Sequence, residues 1–178
     1  NFSNFGKRGV LMGKNYDLPD YLDVQQIKAE HKDEAIAKIK NLCLEQSFAV
    51  LASRGKESAY TSLISFVVNE DFQEIIFASP TDTKKIDFIK KNKEVSLLID
   101  NRDSNPNSIN DILAVTVMGK AYIVNEKAGK YQEALGKKHQ YLADFIKAPT
   151  TVIVRIKIDY YHYVSRFQEV IEWSPIDK

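Results

Sequence analysis

The run Ser79-Pro80-Thr81-Asp82-Thr83-Lys84-Lys85 gathers three hydroxyls and two ammonium groups around a proline, directly after an apolar stretch. Ser79 or Thr81 can cap a helix starting here, and Pro80 suits its first turn. The first turn of a helix leaves backbone N–H groups unpaired and carries the positive end of the dipole. With the Thr83 hydroxyl and the amines of Lys84 and Lys85 added, the pattern suits a dianion such as phosphate. Asp82 opposes this and is expected to point to solvent. The same string would serve equally as a capped surface helix with two solvated lysines.

Other chemistries find less support. The chain has no GxGxxG and no P-loop, so dinucleotide and nucleoside triphosphate binding lack their usual signatures. A GxSxG nucleophile elbow is absent as well. His31, His139 and His162 lie far apart, without metal-ligand spacing, and no metal is expected. His162 sits in the aromatic run Tyr160-Tyr161-His162-Tyr163 and reads as a packed or surface residue. The single cysteine, Cys43, excludes an internal disulfide and suits a reducing compartment, so a cytoplasmic location is the expectation. Lysines 84, 85, 90, 91 and 93 give one helix a basic face, read as solvated. A formal charge of +1 provides no global attraction to nucleic acid or an anionic membrane. No apolar run approaches the roughly 20 residues that span a bilayer.

The elements that must position these residues follow from periodicity. The 178 residues, 44% hydrophobic, suffice for one domain, expected over 31–178. Residues 1–30, interrupted by Gly6, Gly9, Gly13 and Pro19, read as an arm wrapping the domain or a partner. Lys32–Gln46 predicts a helix, with Ala35, Ile36, Ile39, Leu42 and Cys43 on one stripe. Cys43 is then a plain buried thiol. Phe48–Ser53 and Tyr60–Asn69, around a Gly55 turn, predict a hairpin. Further strands are expected at Glu74–Ser79, Glu94–Asp100, Ile112–Val124, Thr150–Ile158 and Tyr160–Val170. Thr81–Lys91 predicts a short helix, and Lys127–Ala148 a longer one broken near Gly136. Asn101–Asp111 has loop composition, and Gly119 marks a bulge or a close backbone approach. Consecutive strands dominate, so the fold class is mostly β with peripheral helices, economically an antiparallel barrel.

In that order, three segments carry a family resemblance. They are Phe77-Ala78-Ser79 with Thr83-Lys84-Lys85, then Asn92-Lys93-Glu94-Val95-Ser96-Leu97-Leu98, then Val115-Thr116-Val117-Met118-Gly119-Lys120-Ala121. Together they resemble the pyridoxamine 5′-phosphate oxidase-related, FMN-binding split-barrel family, from about Phe48 to Ile171. The resemblance implies a six- to seven-stranded antiparallel split β-barrel that forms a homodimer, with FMN at the subunit interface. It implies that Thr83, Lys84 and Lys85 grip the phosphate, while Phe77, Ala78 and Ser79 flank the ribityl chain and ring. Thr61, Ser62 and Leu63 would meet the polar edge of the isoalloxazine, and Asn101 and Arg102 would approach from the partner. An apolar slot, directional groups and a cationic end are what a flavin needs.

The departures point away from oxidation of pyridoxine phosphate. The oxidases carry basic residues where Ser62 and Val67 stand, a glutamine where Ala114 stands, and an Arg-Pro-Leu tail absent from Glu172–Lys178. The expected activity is a flavin-dependent oxidoreductase acting on a small substrate, with no catalytic acid or base named. Tyr60, Arg102 and His162 are polar candidates near the pocket. A non-catalytic flavin carrier or sensor, a deazaflavin, or haem held through His162 or His139 stay open as alternatives.

Overall fold

A computed structural model describes residues 29–102, 112–124, 129–165 and 169–176. The expected arm over 1–30, apart from its last two positions, and most of the loop 101–111 lie outside the described residues. In chain order the elements are α1 (Ala29–Glu45), β1 (Phe48–Arg54), β2 (Ala59–Val68), β3 (Glu74–Pro80), α2 (Lys84–Lys91), β4 (Glu94–Asp100) and β5 (Leu113–Val124). They continue with α3 (Gly129–Lys138), a 3-10 turn (Gln140–Leu142), α4 (Ala143–Lys147), β6 (Thr151–Ser165) and β7 (Glu169–Trp173). No described helix is long and apolar enough to cross a membrane.

All strand pairings are antiparallel, in the order β3-β2-β1-β4-β5-β6-β7, and a β3–β6 ladder closes the first six into a barrel. The alternation of the strands decides which side chains fill it. Ala49 and Leu51, Ile64 and Phe66, Ile75 and Phe77, Val95, Leu97 and Ile99 all turn inward and are buried. The stripe of α1 (Ala35, Ile39, Leu42 and Cys43) and Ile86 and Ile89 of α2 join that core. A second, smaller core forms outside the wall, where Leu135 of α3 and Ile146 of α4 cover Ile76 and Ile153.

Two expectations about the C-terminal half need correction. The predicted break near Gly136 falls at His139 instead. Its ring is fully buried, with Nε2 2.8 Å from the Phe66 carbonyl oxygen and Nδ1 3.3 Å from the Tyr141 hydroxyl, which fixes the chain direction there. The predicted boundary between strands around Asp159 is a bulge within β6. Met118 pairs with Tyr160 and Gly119 with Ile158, so Asp159 is the extra residue. Gly119 permits this, because a Cβ there would collide with the Lys157 carbonyl oxygen. β6 therefore runs unbroken, and a separate β7 pairs with its second half, Tyr161–Ser165.

Candidate functional site

The split in the barrel lies where β2 leaves β3. The two pair only over Phe66–Val68 against Ile75–Phe77. Along Ala59–Ser65, β2 pairs with β1. On the other side β3 runs on with β6, out to Pro80 opposite Thr151. That continued pairing delays the helix, and the expected capping by Ser79 or Thr81 does not occur. Pro80 ends the strand, where its missing N–H costs little. Thr81 is tied to the Thr150 carbonyl through its N–H at 2.8 Å and its hydroxyl at 3.0 Å. The N-cap is Thr83, in an extended conformation, and its hydroxyl does not cap the helix.

That hydroxyl turns back instead. Thr83 Oγ1 donates to the Pro80 carbonyl at 3.2 Å and lies 3.2 Å from Ser79 Oγ. Ser79 is buried, and its hydroxyl also reaches the Pro80 carbonyl, at 3.1 Å. Lys85 Nζ, from the first turn of α2, donates to Ser79 Oγ at 3.5 Å, a long contact for a charged donor. Burial holds the Lys85 amine below its ordinary pKa, because the cation has lost water without gaining a countercharge. Two hydroxyls and one amine thus meet at a helix start without a side-chain cap, an arrangement with the chemistry to accept an anion.

The predicted triplet divides here. Lys84 points the other way, 5.3 Å from the Tyr60 ring centroid and 5.8 Å from that of Phe88. Those two rings meet edge to face at 6.1 Å. The contact binds the β1–β2 hairpin to α2, and a Cβ at Gly55 would come within 2.6 Å of the Phe88 ring. Asp82 is exposed, as expected.

The remaining predicted residues fall in three places. On β2, Thr61 and Leu63 face outward and are exposed. Ser62 turns toward the barrel, and its hydroxyl is buried with no hydrogen-bond partner. An orphaned hydroxyl of this kind costs about 1–3 kcal/mol and marks a place where a polar ligand atom would be welcome. On β3, Phe77 is sealed in the barrel core, while Ala78 packs against the outer core beneath α3 and α4. Phe77 thus shares the inner face of β3 with Ser79, while Ala78 points away from it. Val67 lies under the same helices.

Asn101 and Arg102 lie farther off. Leu97 is level with Ser62 through Leu51, and Arg102 lies five residues beyond it, roughly 16 Å along the strand. Asn101 Oδ1 accepts from the Leu113 N–H at 2.7 Å, closing the loop, and Arg102 grips Asp100 with two bonds of 2.7 Å. That guanidinium holds the Asp100 carboxyl below its usual range.

The histidines divide as well. His139 uses both ring nitrogens inside the protein, which sequence reading missed because its partner carbonyl, on Phe66, is 73 positions away. His162 is half-buried on the outer face of the sheet, in register with Thr116 and Glu172.

The fold is shared with solved structures. A Clostridium acetobutylicum protein related to general stress protein 26 of the pyridoxinephosphate oxidase family matches at a TM-score of 0.65 and 14% identity, covering 82% of this chain and 96% of that one. An FAD-binding protein from Mesorhizobium loti matches at 0.58 and 18% identity, covering 71% and 89%. A heme storage protein from Vibrio cholerae matches at 0.57 and 13% identity, covering 70% and 89%. At such identities the likeness is one of fold. No curated protein matches the chain. The sequence model for pyridoxamine 5′-phosphate oxidase, however, matches residues 35–165, from α1 through the end of β6. This chain therefore belongs to the pyridoxamine 5′-phosphate oxidase family.

Proposed function

We propose that the chain is a homodimeric FMN-binding protein, acting as a flavin-dependent oxidoreductase on a small substrate other than pyridoxine phosphate. The observation that carries this is the convergence of Ser79, Thr83 and Lys85 at the split. A bound phosphate would receive the Lys85 amine and the backbone N–H groups of Lys84 and Lys85, and would return to Lys85 the countercharge it lacks. The ring would run along the β2 edge, where the Ser62 hydroxyl is unpartnered. When bound, FMN supplies hydride and electron transfer at its N5; the protein supplies position and electrostatics.

The dimer is supported by an outward row across the sheet. Leu63, Val50, Leu98, Thr116, His162 and Glu172 are in register over six strands. Leu63 is 67% exposed and Leu98 37%, an apolar surface that a second copy would cover. Such a partner would also bring its own Asn101 and Arg102 toward the flavin. The lone thiol of Cys43 suits a cytoplasmic setting.

Val67, where the oxidases carry a basic residue, is partly buried beneath α3 and α4, in a surface hollow that Lys130, Lys137 and Lys138 also line. In a second reading the bound flavin is carried or sensed without turnover. Anaerobic mixing of the FMN-loaded protein with NADH or NADPH separates the two. Bleaching of the flavin bands supports the oxidoreductase, and a flavin that neither nucleotide reduces supports the carrier. Haem is the weaker alternative: the His139 nitrogens are both engaged, and His162 on the outer face is the other candidate ligand. Unchanged haem binding in His162→Ala would remove that ligand.

A further inference from the structure

A cleft of about 620 Å³ in the described surface shares no lining residue with the Ser79–Lys85 cluster and is shaped by the β6 bulge. Its floor is one register row, Ala52 on β1, Ser96 on β4, Met118 on β5 and Tyr160 on β6. Successive residues of a regular strand face opposite sides, but the extra residue at the bulge lets Asp159 and Tyr160 both line this cleft. The small side chains of Ala52 and Ser96 give it depth, and Met118 and Tyr160 supply a polarisable thioether and an aromatic face. Its rim carries Arg54, Lys56 and Lys120 against Glu57, Glu94 and Asp159, three cations balanced by three anions.

We infer that this cleft is a binding site for an uncharged planar aromatic or quinonoid molecule, lying over the paired side chains of Met118 and Tyr160 with its oxygen on the Tyr160 hydroxyl. The volume falls within the range of about 300–1,000 Å³ usual for small-molecule sites. A rim of balanced charge does not attract an anion, which separates this ligand class from the phosphate-bearing one received at Lys85. The Tyr160 hydroxyl keeps its proton above the ordinary range, through burial first and then the nearby Glu172 and Asp159, and so stays a donor. The inference stands whether or not a flavin binds.

The test uses 2-naphthol, neutral and fluorescent, titrated into the full chain. One saturable site per chain is expected. Ala52→Trp, which fills the floor, should weaken it at least tenfold, and Tyr160→Phe severalfold, with far-ultraviolet circular dichroism unchanged. Naphthyl phosphate should instead lose affinity in Lys85→Ala and keep it in Ala52→Trp. Absence of saturable 2-naphthol binding overturns the proposal, as does binding that ignores both cleft substitutions or that falls in Lys85→Ala. Should Ala52→Trp fail to fold, Ser96→Phe fills the same floor and is read in the same way.

Discussion

Lys85 and Lys84 are neighbours in sequence with opposite assignments in space. The Lys85 amine lies half-buried against Ser79, and the Lys84 amine rests on the Tyr60 and Phe88 rings. Charge-assisted hydrogen bonds are worth about 1.5–3 kcal/mol, so Lys85→Ala should weaken FMN roughly 10- to 150-fold by calorimetric titration. Lys84→Ala should cost FMN far less and should lower the melting temperature slightly through the loosened hairpin. Equal losses of affinity in the two variants would remove the distinction. Cys43 is also legible at this scale. Burial pushes its thiol up to about 12, from 9.0. The unfolded chain releases that proton near pH 9 while the folded one retains it, so stability is full below pH 9 and declines as pH rises toward 12. In urea unfolding series, wild type should lose stability relative to Cys43→Ala over that window, and a native thiol that reacts promptly with a disulfide reagent at pH 8 would contradict the burial.

Element order was readable from periodicity because most strands here have one face in a core. Phe48–Arg54, Ala59–Val68 and Glu94–Asp100 alternate visibly and appear within a residue of their expected ends. Helix α1 announced itself through Ala35, Ile39, Leu42 and Cys43. The start of α2 was misjudged by three residues, because the pairing of Pro80 with Thr151 is a contact with a strand 71 positions later. Likewise nothing local in Gly136 or His139 shows that the histidine ring reaches the Phe66 carbonyl. Of the candidate site, Ser79, Thr83 and Lys85 were legible as a string. The separation of Lys84 from them was not, since it depends on Tyr60 and Phe88 lying side by side. Gly119 was legible as a bulge, and its consequence is testable. Gly119→Ala drives a methyl into the Lys157 carbonyl, and overpacking of that kind costs about 1–3 kcal/mol. Chemical denaturation should register that loss; an alanine tolerated without cost would mean that β5 and β6 are not held at this spacing.

Across the whole molecule, a closed barrel with β7 added to one edge presents an outward row that is apolar at Leu63, Val50 and Leu98, and leaves a split beside the first turn of α2. The row predicts a dimer: Leu63→Lys with Leu98→Lys should shift the mass measured by light scattering toward the monomer and weaken FMN, while far-ultraviolet circular dichroism stays unchanged. The central claim is that the end of β3 and the first turn of α2 hold the phosphate of a flavin. Titration of the purified protein with FMN, followed by quenching of flavin fluorescence, tests it most directly. One FMN per chain, weakened roughly 10- to 150-fold in Lys85→Ala, is the predicted result. A protein that leaves FMN fluorescence untouched, or that binds it equally well without Lys85, contradicts the claim.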